Sequence, residues 1–204
     1  MPIVSASVSV TRYRIVEEVP DSIWADIPTL LKRFSFKEIE QTSDERSYGW
    51  VSIENFLDPG FRTAPPEKGE YLAFALRLDT RRVSPAVIKK HTLMAMEEAE
   101  KQAKEEGRKY LSRERKKEIK EQVRIKLMAR AMPVPAVFDV VWNTTSQMIY
   151  LASTNNKVRE LFNNHFTDTF ELHLEPVTPY FQALRLLGEE AQPAIDAVEP
   201  ARFS

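Results

Sequence analysis

The chain has 204 residues and a hydrophobic content of 43%, enough for one substantial core or two small ones. It contains no cysteine, which excludes disulfides, thiolate metal sites and a cysteine nucleophile and fits a reducing intracellular compartment. The formal net charge is only −1, but residues 81–130 carry 16 Lys/Arg and 8 Glu, whereas the remainder carries 13 basic and 22 acidic residues. One segment is therefore basic, and the rest of the chain is acidic.

Residues 3–15 alternate apolar side chains with Ser and Thr, which predicts a half-buried strand. The same pattern differs from a basic leader followed by an apolar run, so no secretory signal is expected. No stretch of the sequence approaches the roughly 18 consecutive apolar residues of a membrane-spanning helix. We therefore expect a soluble, cytoplasmic protein without a membrane partner.

Helical spacing follows a turn and cap at residues 20–22 and predicts an amphipathic helix. Its apolar positions are Ile23, Trp24, Ile27, Leu30, Leu31 and Phe34. Residues 36–39 and 48–53 are predicted as a short strand pair, and residues 71–78 as a strand that ends in a charged turn at residues 79–82.

Two unbroken helical runs follow, over residues 86–106 and 112–131, with Ser84 and Pro85 as the cap and first helical position of the first run. Each is about 30 Å long at about 1.5 Å per residue, and Gly107 lies between them. The simplest arrangement is a long antiparallel helical hairpin. The apolar residues expected to hold it together, most of them as core, are Ile88, Leu93, Met94, Met96, Tyr110, Leu111, Ile119, Val123, Ile125, Leu127 and Met128.

Strands return at residues 137–142 and 147–152, followed by a helix after Asn155 and Asn156 and a strand at residues 169–174. Residues 179–187 are predicted as a short amphipathic helix and residues 188–204 as a disordered tail. The fold class is therefore α+β, with two β-α-β units that form a sheet-and-helix body and a long projecting basic helical hairpin. The body takes residues 1–80 and 133–187, and the hairpin arm takes residues 81–132.

The second helix of the arm provides the best functional signal, because residues 108–130 carry 10 Lys/Arg against 3 Glu. Such a helix could neutralise several phosphates of DNA or RNA, with a steep dependence on salt. The alternative interpretation is a solvated helix stabilised by charge pairs three or four residues apart.

Signals for catalysis and metal binding are weak. A metal site is conceivable at His165, Asp168, His173 and Glu175, but exposed polar side chains are the favoured interpretation. For a nuclease, the candidates are Glu118 with Lys120, and Asp139, which is expected as a polar residue on an open sheet face. The five glycines form no phosphate-binding cluster. No catalytic residue, metal ligand or cofactor is therefore predicted.

Several motifs in fixed order resemble one family. Residues 49–51 are Gly-Trp-Val after an alternating strand and a helix, and residues 84–89 match a Ser-Pro-x-Val-Ile-Lys element that opens a basic helical hairpin. The strands around Trp142 and residues 148–150 also match in position. Over residues 4–187 the chain resembles the RdgC family of recombination-associated proteins, in a form shortened at its C-terminal end.

The resemblance implies a nucleoid-associated protein that binds double-stranded DNA without sequence preference and modulates recombination by restraining the recombinase RecA. It also implies a homodimer that can encircle the duplex, although family members continue beyond the point where this chain ends. Contact between arm tips around residues 107–111 is an alternative route to a dimer. Some members carry an exonuclease label, for which no residues are recognised here.

If DNA is the ligand, the side chains expected to contact phosphates are Lys89, Lys90, Arg113, Lys116, Lys117, Lys120 and Arg124. No base readout is predicted. The competing hypothesis is a protein-interaction scaffold, in which the helical hairpin docks onto an acidic partner.

Overall fold

A computed structural model of the chain describes residues 3, 7–42, 44–105, 107 and 110–199. The strands in this part of the chain are β1 (Thr11–Ile15), β2 (Arg46–Ser52), β3 (Glu67–Lys68), β4 (Tyr71–Arg81), β5 (Pro133–Asn143), β6 (Met148–Leu151) and β7 (Leu174–Pro176). The helices are α1 (Ile23–Arg33), α2 (Pro85–Glu105), α3 (Arg113–Arg130), α4 (Asn156–Phe170), α5 (Pro179–Leu187) and α6 (Gln192–Asp196). The protein is α+β, as the sequence predicts.

The strands form one sheet in the order β2-β4-β5-β6-β1-β7, and β3 pairs with β4 outside this path. Strand β1 is antiparallel to both of its neighbours, so that Tyr13 lies opposite Ile149 in β6 and Pro176 in β7. Strand β5 is antiparallel to β6, with Trp142 opposite Ile149.

The chain divides into two compact units, whose boundaries fall inside β2, β4 and β5. The first unit comprises Met1–Phe36, Gly49–Arg77 and Val137–Ser204, and the second comprises Lys37–Tyr48 and Leu78–Ala136. The predicted limits of the arm, residues 81–132, stay a prediction.

Helix α4 supplies much of the core of the first unit. Its buried residues recur at helical spacing and are Val158, Leu161, Phe162, His165, Phe166, Thr169 and Phe170. Trp50 packs edge-on against Phe74, with ring centroids 5.1 Å apart, and its indole N–H donates to Thr169 Oγ1 at 2.8 Å. Aromatic packing and one satisfied indole therefore fix α4 against β2 and β4 inside this unit.

Gly49 lets two backbone segments of the first unit come close together. Phe36 N donates to Trp50 O at 3.0 Å, and Trp50 N donates to Phe34 O at 3.2 Å. A Cβ atom at position 49 would collide with the backbone N and Cα of Phe36. Glycine is therefore required for close approach, not for an unusual backbone angle.

The second unit contains the two long helices, which pack against each other as α2 and α3. Helix α3 begins at Ser112, whose hydroxyl accepts the backbone N–H of Arg115 at 3.1 Å. Both predicted helical runs are confirmed to within a residue at each end.

The predicted strand over residues 3–15 is wrong in its N-terminal part. Strand β1 begins at Thr11, which lies opposite Leu151, the last residue of β6. Residues 7–10 extend past that end of β6 and form no strand, despite their alternating pattern. Residues 4–6 of the prediction lie outside the described residues.

The predicted strand over residues 169–174 is also wrong, because α4 continues to Phe170. Thr169 and Phe170 extend the buried helical face, and Glu171 then ends the helix in the left-handed conformation, with φ of 58°. Strand β7 begins only at Leu174. The alternation of residues 170, 172 and 174 misled the prediction, since packing of the helical face decides the structure.

Residues 36–39 form no strand of their own, since the strand pairing here is a single bridge between Ser35 and Trp50. Strand β4 is longer than predicted and runs on through the expected charged turn to Arg81. The expected tail contains a 3-10 turn, Glu189–Ala191, and α6, which Tyr180 contacts by donating its hydroxyl hydrogen to Asp196 Oδ1 at 2.8 Å.

Candidate nucleic-acid interface

Helix α3 carries five of the predicted phosphate-binding residues at spacings of three, four and seven. We call Arg113, Lys116, Lys117, Lys120 and Arg124 the α3 stripe. At 3.6 residues per turn these positions fall within about 100° of the helix circumference. All five side chains are exposed. The stripe is therefore one continuous cationic face, about 17 Å long from its first to its last residue.

A shallow surface depression of about 590 Å³ lies along the first part of this face. Its lining residues are Arg113, Glu114, Lys116, Lys117 and Lys120. The structure thus brings four of the seven predicted residues together around one concavity. Glu114, the acidic residue in the lining, lies in the first helical turn, where a carboxylate is favoured by the helix dipole.

Lys89 and Lys90 lie on α2 and are exposed, but they are not among the lining residues of the depression. Being adjacent in a helix, their side chains point about 100° apart. The exposed surface of α2 is mixed in charge, since it also carries Glu97, Glu98, Glu100 and Glu105. Helix α2 therefore offers a weaker cationic surface than α3.

Within the described part of the chain, none of the seven predicted residues forms an ion pair with another described residue. By contrast, Arg115, which lies outside the α3 stripe, pairs with Glu118 at 2.9 Å. Glu118 thus neutralises a cation outside the stripe, and the charge of the stripe stays available to an anion.

The hydrophobic residues of the helix pair are less buried than predicted. Thr92, Ala103 and Ile119 are buried. Leu93 and Ile125 are 53% and 61% exposed, Met94 is exposed as well, and Tyr110, predicted as a packing residue, is 82% exposed. The prediction that most of the apolar residues form a core is therefore wrong for these four.

Sequence reasoning missed Arg81, which is 5% exposed inside the second unit. Its guanidinium donates to five backbone carbonyls: Nε to Asp44 O at 3.0 Å, Nη1 to Ala131 O at 2.5 Å, and Nη2 to the carbonyls of Ile39, Glu40 and Thr42 at 2.6, 3.1 and 2.9 Å. One signal in the sequence could have found this residue. Positions 77, 79 and 81 keep the two-residue spacing of one face of β4 beyond residue 78, where the strand was predicted to end.

Of the four residues considered for metal binding, three have separate contacts and Asp168 is exposed. His165 is buried against Trp50, with ring centroids 4.6 Å apart, and its Nε2 contacts Phe34 O at 3.2 Å. Burial lowers the pKa of His165 to about 4. Glu175 pairs with Arg14 at 3.1 Å.

His173 makes two hydrogen bonds with Glu17. Its backbone N–H donates to the carboxylate at 2.8 Å, and its ring Nδ1 contacts the other carboxylate oxygen. The backbone hydrogen bond from His173 lowers the pKa of Glu17. Across the described ranges, no group of three or more His, Cys, Asp or Glu side chains is placed to hold a metal ion.

Asp139, the candidate nuclease residue on β5, does not lie on an open sheet face. It is buried, and its Oδ2 accepts the backbone N–H of Ile3 at 2.6 Å. Burial raises the pKa of this carboxyl. The prediction of an exposed residue is wrong, since the backbone of Ile3 lies against this carboxyl. The other candidate, Glu118, pairs with Arg115, as described above.

In the part of the chain that the structure describes, no helix combines the length and apolar character needed to cross a membrane.

No curated protein matches the chain significantly. A family model described as "Putative exonuclease, RdgC" matches residues 9–185, which is most of the 204-residue chain. The matched range includes the Gly-Trp-Val segment at the Gly49 close approach, both long helices and the core helix α4. The resemblance inferred from the sequence is therefore confirmed, and the chain belongs to the RdgC family of recombination-associated, nucleoid-type proteins.

Proposed function

We propose that the protein binds double-stranded DNA without sequence preference and that the α3 stripe contacts the phosphates. The observation that carries this proposal is the stripe itself: five exposed cations on one helix face, without ion pairs to other described residues. Its length of about 17 Å is about half of one helical turn of B-DNA. One helix face can thus reach several backbone phosphates at once.

The chemistry of the stripe favours affinity over base recognition. Lys offers a compact charge and Arg a planar fork, and both suit phosphate oxygens. Contacts to phosphates fix the position of a protein on the duplex but carry no direct sequence information. Lys89 and Lys90 are proposed as additional phosphate contacts from α2.

Family membership supports the wider role. We propose that the protein is nucleoid-associated, acts as a homodimer, and modulates recombination by restraining a RecA-type recombinase on the same DNA. In this proposal the effect on the recombinase is indirect, because both proteins compete for the duplex.

The proposal is tested by reversing three charges of the stripe, Lys116→Glu, Lys117→Glu and Lys120→Glu, in one variant. We expect binding to arbitrary fluorescent duplexes at low salt to weaken at least about 100-fold, and equally for unrelated sequences. Fluorescence anisotropy over a salt series measures this, with a single strand of the same sequence for comparison.

The matched control is a second triple variant, Lys32→Glu, Arg62→Glu and Lys157→Glu, which makes the same change in net charge at exposed positions of the first unit. We expect this variant to bind DNA within about threefold of the parent, because its changes are outside the stripe. Equal loss of affinity in both triple variants would show that net charge, not the stripe, determines binding.

Two other functions have an observation in their favour. The family description names an exonuclease, so the binding series includes magnesium and a labelled strand end. Strand shortening that follows the purified protein through chromatography would establish the nuclease. The exposed Leu93, Met94 and Ile125 favour a protein-interaction scaffold, which absence of DNA binding at low salt would support.

A further inference from the structure

The basic helix α3 has a narrow apolar contact to fix its direction. All 18 of its residues are described; Ile119 is the one that is buried, and Val123, Leu127 and Met128 are half-buried. Contacts with many side chains normally set the angle between helices, so a helix with one fully buried residue gains limited orientation from packing. A polar contact at its end therefore adds to what holds α3 in place.

Arg81 makes such a contact. Its Nη1 donates to the carbonyl of Ala131, the residue that caps the C-terminal end of α3. The remaining N–H groups reach the carbonyls of residues 39, 40, 42 and 44. One guanidinium thus joins the end of β4, these four residues and the end of α3, all within the second unit.

The energetics of this contact explain why it restrains motion. A buried cation is costly unless its N–H groups are satisfied. If the end of α3 moved away, Arg81 would lose the Ala131 carbonyl while still buried. A guanidinium presents five N–H groups in a rigid fork, which a lysine ammonium cannot reproduce.

We propose that Arg81 is a positioning residue for DNA binding: it holds the base of α3 so that the α3 stripe meets the phosphates as one preorganised surface. The inference rests on the proposed function of that stripe. Arg81 itself is buried and does not touch DNA. Replacement of Arg81 removes no cation of the stripe. It lets α3 change direction, so that fewer phosphates are contacted at the same time.

The first experiment measures the direction of α3. Because the chain has no cysteine, Arg46→Cys on β2 and Glu114→Cys near the start of α3 accept two spin labels at unique, exposed positions of the second unit. A pivot at Ala131 moves position 114 most, since it lies about 25 Å along the helix from that end. We expect the label-to-label distance distribution to broaden or shift when Arg81→Met is introduced.

The second experiment measures DNA binding of unlabelled Arg81→Met and Arg81→Lys by the salt series described above. We expect Arg81→Met to bind about tenfold more weakly at low salt, with a shallower salt dependence, because fewer phosphates are neutralised. Arg81→Lys should lie between it and the parent, since an ammonium reaches fewer carbonyls.

A destabilised variant of the first unit, Leu151→Ala, controls for stability loss alone. Leu151 is fully buried in β6, and we expect its truncation to leave both the distance distribution and the affinity unchanged below the unfolding transition. A merely structural role for Arg81 would make Arg81→Met behave like this control. If Arg81→Met does not fold, Arg81→Lys decides by the same two measurements.

The outcomes distinguish failure of the positioning role of Arg81 from failure of the proposed function of the stripe. If reversal of Lys116, Lys117 and Lys120 leaves DNA binding unchanged, the proposed function of the stripe is wrong. If that reversal weakens binding while the Arg81 variants retain the parental distances and affinity, the stripe binds DNA and the positioning role of Arg81 is overturned.

Discussion

The buried His165 makes the stability of the folded protein depend on pH. Its imidazole is 7% exposed, packs against Trp50 and has a pKa lowered to about 4 by burial, against 6.5 as its ordinary value. Between these two pH values the unfolded chain binds a proton at this position and the folded chain does not. Stability is therefore complete above pH 6.5 and declines as the pH falls towards 4.

We expect His165 to reduce the free energy of unfolding by about 2 kcal/mol between pH 7.5 and pH 5. Urea unfolding of the parent and of His165→Phe at both pH values measures it. The variant should show a smaller pH dependence, because the group that titrates is gone. As a control, His91→Gln changes an exposed histidine of α2 and should retain the parental pH dependence. Identical pH dependence in His165→Phe and the parent would contradict the assignment.

At the scale of elements, the close approach of two backbone segments at Gly49 requires glycine at this position. Gly49→Ala places a Cβ atom against backbone atoms of Phe36, which cannot move as a side-chain tip could. We expect a loss of about 1–3 kcal/mol in the free energy of unfolding, measured by urea denaturation.

Gly60→Ala is the matched control for this substitution. A Cβ atom at position 60 meets the flexible side chain of Arg62, with its nearest atom at 3.2 Å. We expect a change within about 0.5 kcal/mol. Equal losses in the two variants would show that the general cost of replacing glycine, not the contact with Phe36, is responsible.

Periodicity predicted the elements whose own sequence determines them. The cap at Ser84 and the long unbroken runs placed α2 and α3 correctly. Residues 7–10 were misassigned because alternating apolar residues occur there outside a strand, and residues 169–173 because the buried face of α4 continues to Phe170. The cationic face of α3 follows from the spacing of Lys and Arg. The role of Arg81 does not, since its acceptors are backbone carbonyls, which leave no pattern in the sequence.

At the scale of the whole molecule, the net charge of −1 conceals a segregated distribution. Long-range attraction to DNA must then come from the basic segment and be opposed by the acidic remainder. Salt screens both effects, so binding should weaken steeply as the ionic strength rises.

If the five stripe residues and the two α2 lysines contact phosphates, the logarithm of the binding constant should fall with the logarithm of monovalent salt concentration with a slope of about −6 per bound chain. Anisotropy titrations between low and physiological salt measure this slope. A slope shallower than about −2 would mean that most of these residues do not contact phosphates.

The positions of the tryptophans determine which part of the protein their fluorescence reports. All three tryptophans belong to the first unit, and Trp24 and Trp142 lie with ring centroids 5.2 Å apart. Intrinsic tryptophan emission therefore reports the first unit, whereas far-ultraviolet circular dichroism also detects the two long helices of the second unit. Monitored together during denaturation, coincident curves would identify one cooperative transition, and separated curves would assign an order of melting to the two units.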